Sequence, residues 1–246
     1  MRRPIVIGNW KMYTQAADAH VLATTIRNYA ANINGIEIVL CPPTIWLSEV
    51  LSIVGKGGKI ELGAQNMFYE KEGPYTGETS PLMIHDLAKY VIIGHSERRE
   101  HFGETNLEVN EKVIASLRAG LAPIICVGEK KKSKQYPTEV VNQLKEALAH
   151  VPKKYYKEII VAYEPVWAIG TGETADPEYA VKVIAQLRQL VLRDSPILYG
   201  GSVNSKNAAG FAARPEIDGL LVGGASLRAS EFVKICATWA ENKSFK

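Results

Sequence analysis

The chain has 246 residues, 46% hydrophobic and 22% charged, with a formal net charge of +3. This is the composition of an ordinary globular protein with ample material for a core, and so small a charge argues against nucleic acid or a membrane surface as partner. The length allows two domains, yet α/β barrels of this size fold as one, and no Pro/Gly/Ser-rich linker divides the sequence. Cys41, Cys126 and Cys236 cannot all pair with one another and show no C-x-x-C spacing, so buried thiols and a reducing, cytoplasmic location are expected. Strand-like sequence follows Met1-Arg2-Arg3-Pro4 at once, leaving no room for a signal peptide, and no apolar run reaches membrane-spanning length.

Eight short apolar runs occupy positions 5–8, 36–41, 60–64, 90–94, 122–127, 159–163, 197–199 and 219–222. Several lack polar alternation, as strands buried on both faces do. The first runs into Gly8-Asn9-Trp10-Lys11, which is no dinucleotide-binding G-x-G-x-x-G. A helical stripe follows at Ala19, Leu22, Ala23 and Ile26. After the third run, positions 65–80 are long, rich in Gly, Pro and Tyr, and lack helical spacing; a loop of this kind serves function or an interface. Phe68, Tyr69 and Tyr75 would otherwise stand in water.

The fourth run ends at Gly94-His95-Ser96-Glu97-Arg98-Arg99, read as a strand entering a short helical turn. A helix N-terminus there disfavours an imidazolium at His95, although a lone histidine is also commonly a hydrogen-bonded core residue. The five histidines show no H-x-H or HExxH spacing, so no metal is expected, and nothing points to another cofactor. Lys130-Lys131-Lys132 with Lys134 reads as a solvated loop or helix face. Val140, Leu144 and Leu148 form a second helical stripe, and Val181, Ile184, Leu187 and Val191 a third.

Between those stripes lies Tyr163-Glu164-Pro165-Val166-Trp167-Ala168-Ile169-Gly170-Thr171-Gly172. A strand delivers one carboxylate, Glu164, and Pro165, without an N–H, should not extend the ladder. Trp167 and Ile169 then ride a glycine-punctuated loop. Either Glu164 is a base beneath a lid, or the segment is a strand-to-helix turn packed on the core. Gly200-Gly201-Ser202 and Gly223-Gly224 end the last two runs. Such turns bring N–H groups close to an anion, and barrels often hold phosphate there; tight turns needing no ligand would explain either pair alone.

Alternating strands and helices imply a parallel sheet with right-handed crossovers. Without the dinucleotide fingerprint, the expected fold is a closed (β/α)8 TIM barrel spanning 1–246 as a single domain. Asn9, Lys11, His95, Glu164 and both glycine turns then share the C-terminal face, where barrels place their chemistry.

Taken in order, Asn9-Trp10-Lys11, the 94–99 and 163–172 segments, Tyr199-Gly200-Gly201-Ser202 and Leu221-Val222-Gly223-Gly224-Ala225-Ser226-Leu227 resemble the motifs of triosephosphate isomerases across nearly the whole chain. The resemblance implies interconversion of dihydroxyacetone phosphate and D-glyceraldehyde 3-phosphate, with base and neutral-electrophile logic already worked out for this family. By matching motif, Glu164 is the base, His95 the neutral electrophile, Lys11 the electrostatic stabiliser and Asn9 a supporting donor. Gly170, Ser202, Gly223 and Gly224 bind phosphate. Ser96 and Glu97 support the site from behind, Glu97 by pairing with Lys11, and 165–175 form a lid. The resemblance also implies a homodimer in which the 65–80 loop enters the neighbouring subunit and Thr76 supports that subunit's site. Two departures stand out: Pro74-Tyr75 where members often carry Ala-Phe, and Glu173 on the lid where a lysine is common. The rival readings are another phosphosugar barrel such as an epimerase, against which the lack of clustered metal ligands counts, and a non-catalytic barrel kept for binding.

Overall fold

A computed structural model describes residues 2–133, 137–169 and 175–243. Eight parallel strands close in sequence order, each bonded to its neighbours and β8 to β1. They are β1 (Ile5–Asn9), β2 (Glu37–Cys41), β3 (Ile60–Ala64), β4 (Tyr90–Ile93), β5 (Ala122–Glu129), β6 (Ile160–Pro165), β7 (Ile197–Tyr199) and β8 (Gly219–Val222). Around them run α1 (Ala16–Ala30), α2 (Leu47–Val54), α3 (Pro81–His85), α4 (Ser96–His101), α5 (Asn106–Arg118), α6 (Thr138–Ala147), α7 (Pro177–Arg188), α8 (Ala208–Ala212) and α9 (Ala229–Lys243). No helix among the described residues is long and apolar enough to cross a membrane.

The side-chain period of a strand sorts the core into two. Ile5 and Ile7, Tyr90 and Ile92, Ile124 and Cys126, Ile160 and Ala162 fill the barrel interior. Val6, Val91, Ile125, Val127, Val161 and Tyr163 face the helices. Continuing the same alternation, Asn9 and Glu164 fall in phase with the interior residues at the barrel mouth, while Glu129 falls in phase with the outward ones.

Three strands outrun their expected ends, β1 by one residue and β5 and β6 by two. β6 includes Pro165, which pairs in register with Glu129 at the tip of β5. The expectation that proline stops the ladder is thus corrected: Pro165 is the last residue, where its carbonyl serves and a missing N–H costs little. At Gly128 the backbones meet so closely that a Cβ would lie 1.8 Å from the Glu164 carbonyl oxygen. Gly94, at φ +73°, turns the chain from β4 into α4. The helical stripe at 181–191 is also shifted: the buried face of α7 is Ala180, Val183, Ile184 and Leu187, with Val181 at its margin and Val191 beyond the helix's end.

Between β3 and α3 the 65–80 loop carries no helix or strand. Its aromatic residues pack on one another, the Phe68 ring 4.3 Å from Tyr69 and 4.7 Å from Tyr75. Asn66 ties the loop's root to Lys112 on α5 at 2.9 Å, and Lys112 in turn pairs with buried Glu104 at 2.6 Å.

Candidate active site

The C-terminal mouth of the barrel opens into a cavity of about 340 Å³ lined by Asn9, Lys11, His95, Glu164, Ser202, Gly223 and Gly224, with Tyr13, Ile169 and Leu221. Seven of the sequence-derived site residues therefore share one space. Ser96 and Glu97 stand just behind it, on the first turn of α4. Thr76 is exposed and does not line this cavity. Gly170 and Glu173 lie outside the described residues, as do Thr171, Gly172 and Thr174 of the segment expected to form a lid.

Lys11 holds a backbone conformation that non-glycine residues rarely adopt, φ +52°, which costs on the order of 1–3 kcal/mol. Two amide side chains compensate. The Asn9 Oδ1 accepts the Lys11 N–H at 2.9 Å, and Gln65 Nε2 donates to the Lys11 and Cys41 carbonyls, each at 2.8 Å. So held, the Lys11 ammonium reaches Glu97 Oε1 at 2.5 Å. Gly223 packs close against this side chain: a Cβ there would lie 3.2 Å from Lys11 Cε.

His95 caps α4 with its ring. Nδ1 accepts the Glu97 N–H at 3.2 Å, which requires a lone pair on Nδ1 and leaves the ring proton on Nε2. Nε2 lies 3.0 Å from Glu164 Oε1, and Glu164 Oε2 accepts the Ser96 N–H at 2.8 Å. Glu164 is only 1% exposed, so these two donors replace its water.

Past Pro165, one turn of 3₁₀ helix spans Val166–Ala168. Glu129, which sequence reasoning missed, anchors this turn. Its Oε1 accepts from Tyr163 Oη at 2.8 Å, Trp167 Nε1 at 2.9 Å and Tyr179 Oη at 3.2 Å. Burial pushes the Glu129 carboxyl above the ordinary glutamate pKa, against the pull of the Trp167 and Tyr163 donors. Lys132 is not simply solvated as expected; its ammonium stands 5.2 Å from the Trp167 ring centre and 5.4 Å from that of Tyr179. Ser202 Oγ donates to the Ala168 carbonyl at 2.7 Å, so the hydroxyl secures the turn that follows β6. Beyond Gly223, Ser226 Oγ bonds the Gly223 and Asn9 carbonyls at 2.7 and 3.2 Å, fastening this turn to β1.

The sequence model described as triosephosphate isomerase matches residues 4–239. The chain belongs to the triosephosphate isomerase family. A triosephosphate isomerase of Dehalococcoides mccartyi (strain ATCC BAA-2266 / KCTC 15142 / 195) is 48% identical over 98% of this chain and 99% of its own. Those of Thermoanaerobacter pseudethanolicus and Dictyoglomus thermophilum are 46% and 45% identical, each over 96% of this chain and 99% of theirs. As a triosephosphate isomerase family member, the protein is an aldose–ketose isomerase of glycolysis that interconverts dihydroxyacetone phosphate and D-glyceraldehyde 3-phosphate. This decides against the epimerase and the non-catalytic barrel. Sequence reasoning also missed Gln65 and Tyr13; Gln65 opens the 65–80 loop, and its position at a strand end was the available signal.

Proposed function

We propose that Glu164 is the base of the isomerisation, His95 the neutral electrophile, Lys11 the charge stabiliser and Asn9 a supporting donor. The observation that carries this reading is the pairing of Glu164 with His95 Nε2 in a cavity that Lys11 also enters. A proton beside a carbonyl is weakly acidic, so a carboxylate removes it only where the developing oxyanion is stabilised at once. The Nε2–H donates to the carbonyl oxygen and then shuttles protons between the two oxygens. Lys11 offsets the enediolate charge, and Glu97 and Ser96 hold Lys11 and Glu164 ready. Both Glu164 oxygens are engaged here, so the base gives up the Ser96 N–H to reach the substrate carbon. The phosphate sits across the cavity on the N–H groups of Ser202, Gly223, Gly224 and Gly170, and the segment 165–175 closes over it. Closure keeps water from the enediolate, which would otherwise expel phosphate. No cofactor takes part. The His95 assignment is checked by 15N NMR of histidine-labelled protein at pH 7: an imine-type Nδ1 and a protonated Nε2 are expected, and two protonated nitrogens would contradict it.

The enzyme works as a homodimer in the cytoplasm. Three free, buried cysteines fit a reducing compartment. Met12 is 95% exposed, Ile45 74% and Phe102 70%; Met12 and Phe102 line a trough of about 500 Å³ that also includes Lys11, Gln65 and Glu97. Large apolar side chains exposed beside a polar trough are what an interface covers, and the packed 65–80 loop of a second copy, with Thr76 near its tip, is the proposed occupant. Light scattering should give twice the chain mass for the native protein. Phe102→Glu should halve it; a native monomer would overturn the dimer.

A further inference from the structure

Gln65 is the first residue past β3, and its side chain reaches back across the ends of two other strands. Its Nε2 donates to the carbonyl of Cys41, the last residue of β2, and to that of Lys11, two residues past β1, each at 2.8 Å. The Cys41 carbonyl also accepts the Trp10 N–H at 3.0 Å, so the ends of β1, β2 and β3 meet at this one point. Two carbonyl oxygens facing one group require two protons from it. The nitrogen of a primary amide has both; a carboxylate has none, and an aliphatic side chain has none.

Lys11 needs such a hold. Its φ of +52° is one that residues with a Cβ rarely adopt. This backbone sends the ammonium to Glu97 Oε1 at 2.5 Å and along the wall of the substrate cavity. Asn9 Oδ1 fixes the N–H side of Lys11, and Gln65 fixes the carbonyl side. Freed on the carbonyl side, the residue can relax to the ordinary negative-φ region, a rotation of about 110° about N–Cα. A turn of that size takes the side chain off its present line to Glu97.

We propose that Gln65 is a positioning residue for the isomerisation: by tying the Lys11 carbonyl to the end of β2, it holds the ammonium where the enediolate charge develops. Gln65 itself borders the neighbouring trough rather than the substrate cavity, so it acts through Lys11. The proposal rests on the reading of Lys11 as charge stabiliser.

The test is a double-mutant cycle in kcat/KM, which separates action through Lys11 from a general loss of packing. Gln65→Leu keeps the bulk and removes both donors. It should lower kcat/KM about 10- to 100-fold, the scale of a misplaced catalytic group. Because Lys11 meets both substrate and enediolate, KM should rise and kcat should fall together. In a Lys11→Met background the same substitution should cost less than about twofold, since the ammonium it positions is gone. Gln65→Met carries the cycle if the leucine variant does not fold. An equal loss in both backgrounds would mean that Gln65 does not act through Lys11, and overturns the proposal. So does turnover by the Gln65 variant within about twofold of native in the Lys11 background. Failure of the underlying Lys11 reading shows separately, as near-native turnover by Lys11→Met alone.

Discussion

Glu164→Asp is expected to lower kcat by about 10²–10³-fold while KM stays within a few-fold of native. Glu164 points into the barrel mouth in phase with Ile160 and Ala162 on a strand paired on both sides. Gly128 packs directly against its carbonyl, so the backbone cannot advance to make good a missing methylene. The shortened carboxylate stops roughly 1 Å or more short of the substrate carbon, and misplacement on that scale costs about 10²-fold. Lys11 and the glycine turns, the proposed ground-state contacts, are untouched, so the loss falls on kcat. Steady-state kinetics in both directions check this; a variant within a few-fold of native would remove Glu164 from the role of base.

Glu104→Gln is expected to cost about 3–5 kcal/mol of stability, the usual penalty for stranding one partner of a buried ion pair. Glu104 is 6% and Lys112 5% exposed. Glu104 accepts from Lys112 at 2.6 Å and from Arg98 Nε at 3.1 Å, and Lys112 also bonds Asn66 at 2.9 Å. This network joins α5 to α4, which carries Ser96 and Glu97, and to the root of the 65–80 loop. Neutralising Glu104 leaves the buried Lys112 charge facing only neutral amide oxygens, that of Asn66 and that of the substituted side chain. Arg98, with a side chain 29% exposed, turns to water instead. Urea unfolding measures the loss, and Glu104→Leu with Lys112→Met should recover most of it, since no charge is then stranded. A single variant as stable as native would contradict the account.

The barrel was readable because its signals are local. Buried parallel strands read as apolar runs, and the expected ranges 60–64, 197–199 and 219–222 coincide with β3, β7 and β8. The strand ends that carry Asn9, Lys11, His95 and Glu164 were readable for the same reason, because closure brings them to one face. What escaped depends on distant partners. Glu129 stands two residues beyond an apolar run and reads as a solvated charge; its role comes from Tyr163, Trp167 and Tyr179, 34 to 50 positions away. Glu104 and Lys112 look like surface residues until Asn66 and Arg98 close around them. The α7 stripe slipped because Val181 and Val191 are as apolar as Val183, and only packing on the barrel decides which side is buried.

The most direct measurement of the central claim is isomerisation of D-glyceraldehyde 3-phosphate in deuterium oxide, with the early product examined by proton NMR. Proton transfer through Glu164 predicts dihydroxyacetone phosphate carrying at most one solvent deuteron on its new methylene, always on the same face, in a measurable share of molecules. Solvent deuterons divided between both faces of the methylene would mean that no single positioned base makes the transfer, and would contradict the account.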